Sequence, residues 1–341
     1  MRIAQIAPVW FTVPPRAYGG IELVVSLLAD GLTEAGHDVT LFASGGSETK
    51  ATLVSPLAEP PDPALLGTTW FEASHAVASY MQAGAFDVIH DHSGIVGPGL
   101  GALLDGQPPV AHTLHGPWTE PSKEYYRLVH ERIHLVAISH SQRLTGEKLR
   151  YAGTVYNGID VTAYPFRADK QDYLVYMGRS NPDKGPGLAV EVARRAGVPL
   201  KMIVKKSERF EQDYWDNVVA PQLTDMVEVY EQVSHAEKAE MLAGAKGMIF
   251  PIRWLEPFGL VMTEAMACGT PVVTAPMGAA PEIVVDGETG FLRDSVDDMV
   301  AVVDRLGDLD PRACRARVEE HFSAEAMVRG YEAIFERLAT A

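Results

Sequence analysis

The sequence predicts an α/β protein built from two doubly wound, parallel-sheet domains. Three observations lead there: a length of 341 residues, a strand–loop–helix rhythm that recurs along the chain, and a break between Tyr156 and Asp172 after which the rhythm starts again. At roughly 150 residues per domain the length suggests about two domains. Strands that alternate with helices pair in parallel, because each crossover helix covers a sheet face. The composition, 47% hydrophobic and 22% charged, is that of an ordinary globular chain.

Arg2 to Ala7 is an apolar run short enough for a buried strand. The Pro/Gly-rich stretch from Pro8 to Gly20 reads as a loop, and Leu23, Leu27, Leu28 and Leu32 then recur at helical spacing up to Gly36. Asp38 to Ala43, Val88-Ile89, Val110 to Leu114 and Leu135 to Ile138 are the next expected strands. Asn157-Gly158 and Pro165 punctuate the chain, so a linker is expected over 157–170. The rhythm resumes with Tyr173 to Met177, a helix over Leu188 to Ala196, and strands at Leu200 to Val204, Val227 to Tyr230, Gly247 to Phe250 and Val272-Val273. A last helix, Ala324 to Leu338, places Met327, Tyr331, Ile334, Phe335 and Leu338 on one side. The expected division is therefore 1–165 and 166–321, with 322–341 packing back on the first domain. Such folds bind ligands beyond the carboxyl ends of their strands, so a cleft between two facing domains is expected.

With 29 Lys and Arg against 45 Asp and Glu, the formal charge is −16. A field of that sign repels nucleic-acid phosphates and anionic lipid, so neither is an expected partner. No apolar run is long enough to insert stably in a membrane, and Met1 to Ala7, interrupted by Pro8, is too short for a secretory leader. Two cysteines, Cys268 and Cys314, make neither a disulfide framework nor a cysteine-built zinc site, and a reducing cytoplasm is the expected setting. His90, His92 and His112 match no zinc spacing, so no metal is expected. Asp308-Leu309-Asp310 has a D-x-D spelling but reads as a loop between helices, and Ser139 reads as a helix cap. Gly19-Gly20 lacks the G-x-G-x-x-G pattern, which counts against a nicotinamide or flavin dehydrogenase.

The chemistry concentrates between Glu256 and Pro271. Pro257 suits the first position of a helix, which leaves Glu256 in the preceding loop. The amides of Phe258, Gly259 and Leu260 would then face outward at a positive helix end, a ready site for a phosphate. Glu264 would lie roughly 9 Å further along the axis, where its carboxylate can accept from the two hydroxyls of a ribose. The alternative is an ordinary core helix with a solvent-facing glutamate. Arg179 and Lys184 follow a strand, where they would pair with a diphosphate and stabilise the charge that builds as it leaves; the alternative is solvated surface charge. Lys205 and Lys206 end the next strand and fit either a phosphate site or a rim. Gly19 and Gly20 lie between the first strand and its helix, where a missing side chain lets a diphosphate approach the backbone.

These segments resemble, in order over nearly the whole chain, the landmarks of the retaining glycosyltransferases of family 4, which have the GT-B fold of two Rossmann-like domains. Glu256 and Glu264 resemble its E-x7-E motif, Tyr18-Gly19-Gly20 its N-terminal glycine loop, Asp87-Val88-Ile89-His90-Asp91-His92 its D-x-x-H-x-H strand end, and Thr113-Leu114-His115-Gly116 its T-x-H-G segment. Asn157-Gly158-Ile159-Asp160, Gly178-Arg179 with Lys184-Gly185, and Gly278 to Leu292 resemble further landmarks. The resemblance implies a transferase that moves a sugar, a hexose such as glucose, from a nucleotide diphosphate donor, with UDP-sugar favoured, to a hydroxyl of a soluble acceptor. It implies retention of configuration and neither metal nor other cofactor. Under it His115 sits beside the transferred sugar, Glu256 and the Phe258–Leu260 backbone orient the sugar hydroxyls, and Glu264 holds the ribose. Arg179 and Lys184 hold the diphosphate, which Gly19 and Gly20 approach from the first domain.

Acceptor contact falls to His92 and to the loops Pro8 to Tyr18 and Trp118 to Tyr126, where Trp10, Phe11, Tyr18, Trp118, Tyr125 and Tyr126 offer stacking surfaces. Tyr18-Gly19-Gly20-Ile21-Glu22 and Arg253-Trp254-Leu255-Glu256-Pro257 most resemble small bacterial members, including glucosyltransferases acting on pterins or natural products. The first helix carries Glu22, Asp30 and Glu34 and no Lys or Arg, which argues against docking on a lipid surface. Two other readings stay open: a nucleotide-sugar-binding protein without transfer activity, and a transferase of the same fold with a lipid or polysaccharide acceptor.

Overall fold

The computed structural model describes residues 1–16, 19–146 and 148–340. They form two compact units, one of Met1–Gly158 with Ala324–Ala341 and one of Ile159–Ser323.

The first unit is a sheet of β1 (Arg2–Ile6), β2 (Asp38–Phe42), β3 (Thr52–Val54), β4 (Val88–Asp91), β5 (Val110–Leu114), β6 (His134–Ala137) and β7 (Tyr151–Thr154). All pair in parallel, in the order β3-β2-β1-β4-β5-β6-β7. Helices α1 (Gly20–Glu34), α2 (Thr69–Tyr80), α3 (Val96–Leu103), α4 (Glu120–Val129) and α5 (His140–Thr145) supply the crossovers. β1, β4 and β5 are buried almost end to end, with Ile3, Ala4, Ile6, Val88, Ile89 and Ala111 fully inside. Helices on both faces leave such strands no wet side, so their residues do not alternate with polar ones.

The second unit repeats the plan. Strands β8 (Leu174–Arg179), β9 (Leu200–Lys205), β10 (Val227–Tyr230), β11 (Gly247–Phe250), β12 (Val272–Thr274) and β13 (Gly290–Leu292) form a parallel sheet in the order β10-β9-β8-β11-β12-β13. Its helices are α6 (Pro186–Ala196), α7 (Arg209–Tyr214), α8 (His235–Gly244), α9 (Leu260–Ala267), α10 (Ala280–Ile283), α11 (Val296–Val303) and α12 (Pro311–His321). In both sheets the order of strands reverses beside the unit's first strand, at β1/β4 and at β8/β11. Ligands of doubly wound sheets bind at the carboxyl ends of such a reversal.

The final helix, α13 (Ala324–Ala339), lies on the first unit. Val328 fills the space over Gly31, where a Cβ would sit 2.6 Å from it, and Arg337 donates to the carbonyl of Ala152 at 3.0 Å. The expected boundary at 165/166 moves to Gly158/Ile159. The stretch read as a linker is folded into the second unit: Ile159 donates to the carbonyl of Phe322 at 3.0 Å, Asp160 caps the turn Val161–Ala163, and Tyr164 is buried. Turn residues marked the position correctly as irregular, but irregular backbone with buried side chains is part of a core. Ser139 does cap α5, accepting from the amide of Gln142 at 3.0 Å, and Asp310 caps α12. Among the described residues no helix is long and apolar enough to cross a membrane.

Candidate active site

The candidate donor site is built at the carboxyl ends of β8 and β11. The turn around Gly259 departs from expectation: α9 begins at Leu260, and Gly259 precedes it with φ +96°, ψ 63°. Pro257 therefore lies in the loop and not at a helix start, because the left-handed residue at 259 breaks any helical path from 257. Only glycine adopts that conformation without strain. The amides of Gly259, Leu260 and Val261 donate to no acceptor among the described residues, as the first turn of a helix requires. Phe258 is a core residue, its ring 5.8 Å from Phe322.

Both glutamates of the segment are buried, each 6% exposed, and each uses one oxygen only. Oε2 of Glu256 accepts from Lys184 Nζ and from the indole of Trp254 at 2.9 Å. Oε1 of Glu264 accepts from the Tyr164 hydroxyl at 2.8 Å and from Lys238 Nζ at 2.9 Å. Oε1 of Glu256 and Oε2 of Glu264 have no hydrogen-bond partner among the described residues. An ionised carboxylate has about four lone-pair positions, so each group keeps acceptor capacity for a ligand's hydroxyls. The solvent-facing alternative for Glu264 is excluded by its burial. Burial pushes the Tyr164 phenol well up, and the neighbouring Glu264 charge pushes it further, so it stays a donor to that carboxylate.

Lys184 ends the turn Pro182–Lys184, its ammonium 4.2 Å over the Trp254 ring. Arg179, at the end of β8, is a third exposed and pairs with Glu208 and Glu211. Glu211 is fully buried and also accepts from the amides of Ser207 at 2.9 Å and Glu208 at 3.1 Å. Neither cation is a loose surface charge: the Glu256 carboxylate holds Lys184, and those of Glu208 and Glu211 hold Arg179. The structure thus brings Lys184 directly onto Glu256, whereas Arg179 is anchored to α7. Lys206 pairs with Glu231 at 2.5 Å and lies 4.8 Å over Trp215, its side chain 8% exposed. It is built into packing and is not a rim charge.

In the first unit Gly19 and Gly20 open α1 as expected. A Cβ on Gly19 would meet Pro15 and Oε2 of Glu22 at 2.7 Å, so no side chain fits there. The nearly buried Glu22 carboxylate already faces this helix end. His92 and His115 follow β4 and β5, with Nδ1 of His92 2.8 Å from Nε2 of His115. Burial, reinforced by His112, holds the His115 ring down to about 3, and burial with the neighbouring rings lowers His90 and His92 well below the usual range. All three are neutral near pH 7. Asp91 is fully buried and held low: burial opposes its charge, but His112, the Tyr80 hydroxyl and the Ser93 amide outweigh that. Nδ1 of His112 lies 3.6 Å from Asp91, too far for a hydrogen bond.

The aromatic residues expected to stack on an acceptor are mostly committed elsewhere. Trp10 is 8% exposed and donates to Glu72 at 2.9 Å; Tyr126 is equally buried and bonds His112 at 2.8 Å. The Trp118 indole donates to the carbonyl of Gln142 at 2.8 Å and packs edge-on against Tyr126. Trp10 and Tyr126 are thus core residues, while Trp118 keeps partial exposure; Tyr18 lies outside the described residues. Among the described residues no three His, Cys, Asp or Glu side chains are grouped to hold a metal ion. Tyr164, Lys238, Glu208 and Glu211 were not singled out in the sequence. Their partners are 100, 26, 29 and 32 positions away, so no local pattern marks them.

Two family models match adjoining segments: "Glycosyltransferase Family 4" over residues 18–163 and "Glycosyl transferases group 1" over residues 163–317. A D-inositol 3-phosphate glycosyltransferase from Pseudarthrobacter chlorophenolicus is 28% identical, over 81% of this chain and 78% of its own length. A phosphatidyl-myo-inositol mannosyltransferase from Mycolicibacterium smegmatis is 29% identical, over 93% and 86%. Among solved structures, HepE of Anabaena in complex with UDP-glucose is 20% identical and matches over the whole of both chains with a TM-score of 0.74. The chain belongs to glycosyltransferase family 4 and has the GT-B fold.

Proposed function

We propose that this glycosyltransferase moves a hexosyl group, glucose being favoured, from a UDP-sugar to a hydroxyl of a soluble acceptor, with retention and without a resident metal. The observation that carries the donor half is the pair of half-engaged carboxylates, Glu256 and Glu264, on either side of a helix start whose first amides have no acceptor among the described residues. Open amides at a helix end suit phosphate oxygens, and the free oxygen of Glu264 suits a ribose. Arg179 and Lys184 would exchange part of their carboxylate pairing for the diphosphate and stabilise the charge on it as it leaves. Glu256 and the Phe258–Leu260 backbone would orient the sugar. A related fold solved with UDP-glucose supports the base and the sugar.

In the proposed step the bond from the anomeric carbon to the diphosphate breaks, a bond to the acceptor oxygen forms, and the acceptor proton passes to the departing phosphate. His115, with its neighbour His92, is assigned to the sugar and acceptor side, and Gly19 and Gly20 to backbone approach. The named relatives act on an inositol phosphate and on a phosphatidylinositol. A soluble acceptor is favoured because α1, from Gly20 to Glu34, carries three carboxylates and no cation, a poor face for anionic lipid. The two free, buried thiols fit a cytoplasmic setting.

The test is UDP release from UDP-glucose with a panel of soluble polyols, sugar phosphates and phenolic or pterin-like alcohols, set beside phosphatidylinositol vesicles, with the anomeric configuration of any product read by NMR. Acceptor-dependent release, an α-linked product and loss of both in Glu256→Gln are expected. An inverted product, or transfer only to vesicles, would overturn the corresponding part.

A further inference from the structure

A continuous line of hydrogen bonds runs through the interior of the first unit and ends on His115. Nε2 of His115 lies 2.8 Å from Nδ1 of His92, and Nε2 of His92 lies 3.2 Å from Nδ1 of His90. Nε2 of His90 lies 2.8 Å from Oγ1 of Thr113, and that oxygen lies 2.9 Å from the phenol of Tyr331 on α13. The rings are packed on one another: His90 is 4.0 Å from His92 and 4.5 Å from Tyr331 between centroids, with Phe335 at 5.0 Å. We infer that Thr113 and Tyr331 are positioning residues that hold His115 as its Nδ1–H tautomer, so that the nitrogen outside the chain is a hydrogen-bond donor.

A neutral imidazole has one donor and one acceptor nitrogen, so a line of rings bonded nitrogen to nitrogen has a direction. Placing the proton on one ring places it on all. The direction is set at the hydroxyl end. Tyr331 is 0% exposed and Thr113 1%, and Thr113 is the hydrogen-bond partner of the Tyr331 hydroxyl; no other is found among the described residues.

If His115 donated from Nε2 and the line ran toward Thr113, one of the two hydroxyl protons would have no acceptor. A buried donor left unpaired disfavours that arrangement by roughly 5- to 150-fold in population. Run the other way, every donor inside the line is used, and the one proton left over lies at its His115 end, which is not fully buried. Tyr331 donates to Thr113, Thr113 to Nε2 of His90, Nδ1–H of His90 to Nε2 of His92, and Nδ1–H of His92 to Nε2 of His115. Each ring is left protonated at Nδ1, and Nδ1–H of His115 has no protein acceptor among the described residues. The histidine side chain in water favours the other tautomer, so the bias must come from the protein. The consequence for chemistry rests on the reading of His115 as lying beside the transferred sugar: there it donates to a sugar or acceptor oxygen and has no lone pair with which to take the acceptor's proton.

The test needs no substrate. The full chain is labelled with ring-15N histidine, and long-range 1H–15N spectra are recorded near neutral pH, with signals assigned by removing each ring in turn. His90, His92 and His115 should all carry their proton on Nδ1; a proton on Nε2 of His115, or an even mixture, overturns the inference. Thr113→Ser should keep the wild-type pattern, and the double substitution Thr113→Val with Tyr331→Phe should release His115 toward Nε2–H. A folded double variant that keeps the Nδ1–H pattern would also overturn it, and the wild-type spectrum decides the matter if that variant does not fold. Failure of sugar transfer would leave the spectra untouched, so the two readings fail separately.

Discussion

Gly278→Ala should disable the proposed donor site by displacing Glu256, and the size of the effect follows from backbone geometry. Gly278 has φ +59°, and a Cβ there would lie 2.3 Å from both the amide nitrogen and the carbonyl oxygen of Glu256 and 2.8 Å from the carbonyl carbon of Leu255. No side-chain rotation relieves a collision with backbone. A left-handed alanine costs about 1 kcal/mol, and overpacking adds ~1–3 kcal/mol. The second unit should therefore lose about 2–4 kcal/mol, which at ~2–4 °C per kcal/mol lowers its melting by roughly 5–15 °C. Calorimetry is the assay, because two units need not unfold as one transition. Gly287→Ala is the control: its φ is +78°, but nothing lies within 4 Å of its Cβ, so only the left-handed cost of about 1 kcal/mol applies. Donor affinity should fall at least tenfold, about 1.4 kcal/mol, in Gly278→Ala and stay unchanged in Gly287→Ala. If the two variants melt alike and bind UDP-glucose alike, Gly278 does not hold Glu256 in place and the reasoning fails.

Other consequences can be measured directly. Arg179→Ala should lower kcat by roughly 10²–10³ at saturating donor if the guanidinium stabilises the departing diphosphate, and near wild-type turnover would remove that assignment. It should also destabilise the second unit, since the fully buried Glu211 loses its cation. The depressed histidines make a statement about pH. His115 falls to about 3, and His90 and His92 lie well below 6.5, so the unfolded chain binds more protons than the native one below about 6.5. Their contribution is full above that pH and is lost as the pH falls toward 3, at up to ~1.4 kcal/mol per pH unit for each ring. The first unit should melt lower at pH 5 than at pH 7; equal melting would show that these rings are not kept neutral. Burial pushes the thiols of Cys268 and Cys314 up to about 12, so a thiol reagent should label neither in the native protein and both after denaturation.

The architecture was readable where apolar runs are long. β1, β2, β5, β8, β9 and β11 appear in the sequence within a residue or two, because buried parallel strands are largely continuous hydrophobic stretches; the half-exposed edge strand β10 shows instead through its alternating Val-Glu-Val-Tyr. β3 and β7 were missed for the opposite reason: Thr52–Val54 is short and mostly exposed, and Tyr151–Thr154 is only half buried, so neither carries the pattern. At the site, the residue types and their order along the chain were legible in Glu256, Glu264, Arg179 and Lys184. Their pairing was not. Lys184 meets Glu256 across 72 positions and Tyr164 meets Glu264 across 100, contacts made by the fold and not by spacing. The start of α9 was misplaced because Pro257 favours a helix start, while the left-handed conformation at Gly259 becomes visible only in three dimensions. The stacking surface assigned to Trp10 and Tyr126 failed likewise, since an aromatic ring in a loop gives no local sign of facing the core.

The proposed donor site places a UDP-sugar on the segment of the second unit from Glu256 to Glu264. The direct measurement is a calorimetric titration of UDP and UDP-glucose into the wild type and into Glu264→Gln, with ADP, GDP and dTDP as controls. If the Glu264 carboxylate holds the ribose as proposed, its loss removes charged hydrogen bonds of about 1.5–3 kcal/mol, so binding should weaken roughly 10- to 150-fold while uridine remains preferred in the wild type. Binding of UDP with the same affinity by both proteins, or no binding by the wild type, would contradict the account.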